Sequence, residues 1–163
     1  MPAGVRRVAQ VVNNRGRGGV VTSAAVLSIL ALLAGVPAAA EVSRAVVDPY
    51  LKIQTALVHD SIDNLAANAG DIATAARTLG AAGEPIQGAA IGLAAATDLV
   101  DARAKFGALS EAMESYRKDG RLAWPEGVRL AYCPMVRKPW LQREPRIANP
   151  YYGKEMPTCG SFR

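Results

Sequence analysis

Apolar side chains return every three or four residues along most of the stretch from Val46 to Tyr116. Val46, Tyr50, Ile53 and Leu57 make one such series. Ile62, Leu65, Ala69, Ile72, Ala76 and Leu79 make a second, and Leu99, Ala102, Phe106, Leu109, Met113 and Tyr116 a third. A period near 3.6 places each series on one stripe of a helix, and each stripe has to be buried against another. The predicted fold class is therefore all-α: an up-and-down bundle of three to four helices, followed by an irregular C-terminal tail with one possible short β segment. Many stripe positions are alanine, which lets helices approach closely but buries little area per residue, so a thin core is expected.

The breaks between stripes are legible as well. Asp48-Pro49 reads as an N-cap followed by proline at the first helical position. His59-Asp60-Ser61 reads as a corner, with Asp60 or Ser61 capping the second helix. Gly80 to Pro85 ends that helix and opens a third, and Asp98 caps a fourth unless the third and fourth form one long kinked helix. Lys118-Asp119-Gly120 closes the helical region.

The stretch before these helices has the character of an address. Arg6, Arg7, Arg15 and Arg17 form a basic leader, Val20 to Leu33 is mostly apolar, and Ala38-Ala39-Ala40 offers a small-residue cleavage site. That order describes a secretory signal peptide over 1–40, with an uncleaved anchor as the competing reading. The apolar run falls short of the roughly 20 residues that a spanning helix needs, so no membrane span is expected after cleavage. The expected location is the periplasm or the exterior. The predicted mature chain divides into a helical bundle over 41–120 and a tail over 121–163, packed on the bundle within the same domain.

Removing the leader changes the electrostatics. The mature chain carries fifteen basic and fourteen acidic groups, a balance that excludes nucleic acid as an expected partner. Residues 41–120 are net −4 and residues 121–163 net +5, so the tail is expected to dock on the acidic body or on an acidic partner.

The tail holds six of the ten prolines and both tryptophans. Val128 to Tyr132 alternates like a short strand, and the remainder reads as ordered loop pinned by aromatic side chains. The tail also holds both cysteines, each beside a methionine: Cys133 with Met135, and Met156 with Cys159. Thiolate and thioether are soft donors that select Cu(I) or Ag(I) over hard cations. In an extended segment Cys133 and Met135 point the same way, and Met156 and Cys159 share a single turn. Arg137, Lys138 and Lys154 nearby are expected to lower a thiol pKa and favour thiolate. Zinc fits less well, because the chain has one histidine, His59, distant in sequence. The competing reading is a Cys133–Cys159 disulfide, natural in an oxidising compartment. A loop of this size would gain about 3.5 kcal/mol from such a cross-link. With no Ser-His-Asp set, phosphate loop or paired-carboxylate pocket, an enzyme is not expected. Asp98, Asp101 and Arg103 are explained by capping and a surface ion pair.

The segments Cys133-Pro134-Met135, Trp140-Leu141, Asn149-Pro150-Tyr151-Tyr152-Gly153 and Met156-x-x-Cys159-Gly160 resemble the end of a bacterial periplasmic domain of unknown function. That domain occurs alone or fused to the adaptor subunits of copper and silver efflux pumps of the resistance-nodulation-division class. "YLKIQTALVHDSIDNLAANA" is similar to its first two helices, and "DARAKFGALSEAM" to the helix that carries Arg103, Phe106 and Ser110. The resemblance implies a small helical module associated with heavy-metal handling, with Cys133, Met135, Met156 and Cys159 as ligands. Trp140, Asn149, Pro150, Tyr151, Tyr152, Gly153 and Gly160 would shape the tail. A heavy-metal efflux adaptor or another periplasmic metal carrier would be the partner. No adaptor is attached, which implies the stand-alone form.

Overall fold

The computed structural model describes residues 40–163, so the expected leader lies outside the described residues except for Ala40. Four helices come first: α1 (Arg44–Val58), α2 (Leu65–Arg77), α3 (Glu84–Ala94) and α4 (Leu99–Asp119), with a 3-10 turn, Gly80–Gly83, before α3. Three strands follow: β1 (Arg129–Cys133), β2 (Lys138–Gln142) and β3 (Ser161–Phe162). They form one antiparallel sheet in the order β2-β1-β3. The molecule is therefore mostly helical, and the all-α expectation is corrected by this sheet.

The stripes are buried as their period requires. Val46, Tyr50, Ile53 and Leu57 are inaccessible, as are Ala69, Ile72 and Ala76 on α2 and Ala102, Phe106, Leu109 and Met113 on α4. Ile62 departs from the pattern and is exposed, because it lies in the corner before α2 rather than on the helix. Each helix packs on the next in sequence, and β2 packs on both α1 and α4. Among the described residues, no helix is long and apolar enough to cross a membrane.

The starts and stops separate local rules from tertiary ones. Asp98 caps α4, its carboxylate accepting the Asp101 N–H at 2.8 Å, and the break after Ala94 makes α3 and α4 separate helices. The start of α1 lies one turn earlier than Asp48-Pro49 suggests, leaving Pro49 inside the helix without a backbone donor. An extended segment explains the shift: Val42 N–H donates to Ala123 O and Ala123 N–H to Ala40 O, and the helix begins directly after this anchor. The N-cap of α2 is Asn64 in a left-handed conformation, not Asp60 or Ser61. Asp60 instead pairs with Arg103 on α4.

The largest fully buried side chains, Trp140, Tyr50 and Phe106, lie where the tail meets the helices. Trp140 is fully buried, its ring edge-on to Tyr151 at 6.1 Å. Tyr151 contacts Phe106, which stacks on Tyr50 at 4.8 Å. This aromatic row runs from α1 through α4 into the tail and adds large buried area to an interior of aliphatic side chains and alanines. Each such side chain contributes on the order of 1.5–3 kcal/mol.

Candidate functional site

Strand pairing assembles the site. β1 ends at Cys133, opposite Lys138, the first residue of β2. On its other side β1 pairs with β3, Tyr132 facing Ser161, so the two residues before β3, Cys159 and Gly160, come alongside Cys133. Cys159 thus lies close enough to Cys133 for the one sulfur to influence the other, and both cysteines are unbridged thiols. Cys133 is inaccessible, whereas Cys159 is half-buried.

Asn149 clasps the pair. It is fully buried, and its Nδ2 donates to Cys133 Sγ at 3.3 Å and to Cys159 O at 2.6 Å. Its Oδ1 accepts the Tyr151 N–H at 2.8 Å, and its own N–H donates to Pro157 O at 2.8 Å. One amide thus ties together both cysteines and the loop between them. Gly160, at φ +140°, lies flat against the Trp140 indole, and a Cβ there would collide with the ring and with Tyr132 O. Gly153, at φ +51°, faces the Asp60–Arg103 pair and leaves equally little room.

One polar anchor, Arg103, holds the loop on the helices, and a second, Gln142, ties it to β2. Arg103 donates from Nε to Pro150 O at 3.0 Å and from Nη2 to Leu57 O and Asp60. Gln142 accepts from Trp140 Nε1 at 2.9 Å and from Ala148 N at 3.0 Å, and donates to the carbonyls of Glu144 and Arg146. Tyr151 donates its hydroxyl to Pro139 O, while Tyr152 is half-buried at the edge. Sequence reasoning missed Gln142. Its one available signal was a polar residue following the apolar pair Trp140-Leu141.

The four sulfur residues do not share one environment. Met156 stays on the Cys159 turn, where Cys159 N–H donates to Met156 O at 3.2 Å. Met135 is 62% exposed, whereas Cys133 is 0% exposed. The expected common facing of these two fails because the strand ends at Cys133, and Met135 sits in the turn that leads into β2. His59 is exposed at the end of α1. Among the described residues, no cluster of three or more His, Cys, Asp or Glu side chains gathers where it could hold a metal ion.

The electrostatics of Cys159 also differ from expectation. Burial pushes its thiol pKa up, and the neighbouring Cys133 sulfur raises it further by charge and hydrogen bonding. The basic side chains do not reverse this, because two of them serve other partners: Lys138 pairs with Glu111, and Lys154 lies against Asp60. Asp101 pairs with Lys105, so Arg103 belongs to the tail anchor and not to a site with Asp98 and Asp101. Both effects favour the thiol over the thiolate at Cys159.

The chain matches no family model, no curated protein and no solved structure in the comparisons made.

Proposed function

We propose that the protein is an exported Cu(I)/Ag(I)-binding module of heavy-metal tolerance, built on an up-and-down helical frame and non-catalytic. Cys133 and Cys159 hold the ion, and a heavy-metal efflux adaptor or another periplasmic carrier receives it. The observation that supports this reading is the Asn149 clasp, one amide bonded to Cys133 Sγ and to Cys159 O, which holds the two cysteines side by side although 25 residues separate them in sequence. Thiolate sulfur is the donor these soft ions select, and binding releases the thiol protons, so affinity rises with pH. Met156 is a candidate third donor from the Cys159 turn. Met135, on its exposed turn, is suited to first capture and hand-over. Titration of the reduced protein with Cu(I) against a competing chelator tests the proposal. Stoichiometric binding that disappears in the Cys133→Ser, Cys159→Ser variant is expected. Absence of binding, or binding unaltered by the double substitution, overturns it.

The same juxtaposition favours a second reading, a disulfide-closed interaction module of the cell envelope. There an external disulfide accepts the electron pair and the two thiol protons, leaving as a dithiol, as the Cys133–Cys159 bond forms. Thiol counting on protein taken directly from the envelope separates the two: free thiols favour the metal module, and their absence favours the bridge.

A further inference from the structure

A groove of about 1080 Å³ runs between the C-terminal half of α4 and the sheet, away from the Asn149 clasp. Trp124, Tyr132 and Phe162 form its apolar floor, and Arg129, Arg137 and Arg163 line it with positive charge. Arg129 lies over the Phe162 ring at 4.0 Å and Arg163 over Tyr132 at 4.6 Å. Both guanidinium planes are held on these rings, that of Arg129 also by its Nη2, which donates to Glu144 O at 2.6 Å.

The charge inventory indicates the occupant. Three tail cations are used within the molecule: Lys138 pairs with Glu111, Arg143 with Asp48 and Lys154 with Asp60. Among the described residues, Arg129, Arg137 and Arg163 pair with no carboxylate, although Glu111 and Glu114 also line the groove. Glu114 is engaged by Arg117 and Lys118. The groove therefore presents three guanidinium groups that no carboxylate of the described residues neutralises. Two further observations concern shape and hydrogen bonding. The indole N–H of Trp124 is buried without an acceptor. β3 is the edge strand of the sheet on this side, and extended chains add to such edges.

We infer that this groove docks an extended acidic segment of a partner protein that carries an apolar or aromatic side chain between its carboxylates. The carboxylates meet Arg129, Arg137 and Arg163, the apolar side chain lies on the aromatic floor, and a backbone carbonyl accepts from Trp124. The inference stands apart from the metal reading, since no sulfur residue takes part.

The test is fluorescence anisotropy of a labelled peptide alternating glutamate and phenylalanine, added to the full mature chain. Saturable binding is expected, weakened about tenfold by high salt, as charge-steered docking requires. The Arg129→Gln, Arg137→Gln variant is expected to bind about tenfold more weakly, while Arg146→Gln, outside the groove, binds as the parent does. Trp124→Phe, which keeps a ring and removes the N–H, is expected to weaken binding severalfold with the circular dichroism spectrum unchanged. No saturable binding, equal affinity for a lysine–phenylalanine peptide, or indifference to the double substitution overturns the inference. Preferential co-sedimentation with phosphatidylglycerol vesicles overturns it in favour of a lipid surface. Self-association abolished by the same double substitution overturns it in favour of a second copy of this chain.

Discussion

The Asn149 side chain satisfies three groups at once, and its amide cannot be replaced without orphaning them. In Asn149→Ala the buried Tyr151 N–H loses its acceptor, and Cys133 Sγ and Cys159 O lose their shared donor. The expected loss is about 2–3 kcal/mol, read from urea unfolding, together with faster alkylation of Cys133 as the clasp opens. A different constraint acts at Gly153, where positive φ combines with the Asp60–Arg103 pair standing where a Cβ would go. Gly153→Ala is expected to cost about 1–3 kcal/mol by the same measurement. Asp60 adds a pH dependence. The Arg103 hydrogen bond, reinforced by the charges of Arg103 and Lys154, holds its carboxyl below the usual carboxylate range. A depressed folded pKa means that the stabilisation is fully present above the unfolded value of about 3.9 and is lost as pH falls through the folded value. Acid titration of stability should therefore show a limb below about pH 4 that flattens in Asp60→Asn. An unchanged limb would assign it to other carboxylates.

At the scale of elements, β2 is the part of the tail that joins the helices. Trp140 stands edge-on to Tyr151, which reaches Phe106 on α4, and Leu141 N–H donates to Tyr50 OH on α1 at 3.2 Å. Trp140→Ala is accordingly expected to cost about 3–5 kcal/mol and to lower the melting of helix and tail signals together. Far- and near-ultraviolet circular dichroism melts that separate in the variant would refute this coupling. Such coupling was hard to read in the sequence for a physical reason. The helices announce themselves because their period is local, and α2, α3 and α4 fall within a few residues of the expected breaks. β2 carries Pro139, which argues against a strand, and acquires its register only from β1, opposite Tyr132. β3 has two residues and no pattern of its own. The site divides along the same line. The motif indicates that Cys133 and Cys159 belong together, but the exposure of Met135 follows from where β1 stops, and the raised Cys159 pKa from burial that spacing alone does not encode.

Across the whole molecule, the state of one sulfur pair should set the stability of the fold. The tail is fastened to the helices by the aromatic row, by the Arg103 anchor and by partly exposed ion pairs such as Arg143–Asp48, which contribute little individually. A Cys133–Cys159 bond would close a loop of more than two dozen residues and restrict the unfolded chain, a gain of about 3.5 kcal/mol. For a domain of this size that corresponds to a rise in Tm of roughly 10–15 °C. A Cu(I) ion on the reduced pair, as proposed, would stabilise by mass action instead, by about 2.7 kcal/mol when the free ion exceeds its Kd a hundredfold. The two effects exclude one another, because a bridged pair offers no thiolate. Calorimetry of reduced and oxidised protein, each with and without Cu(I) under a chelator buffer, should therefore show two separate increases that do not add. The reduced form alone should respond to the ion, and the oxidised form should start higher and stay there. A Cu(I) response that survives oxidation would place the ion on sulfur other than this pair, on Met135 or Met156, and would remove Cys133 and Cys159 from the proposed centre.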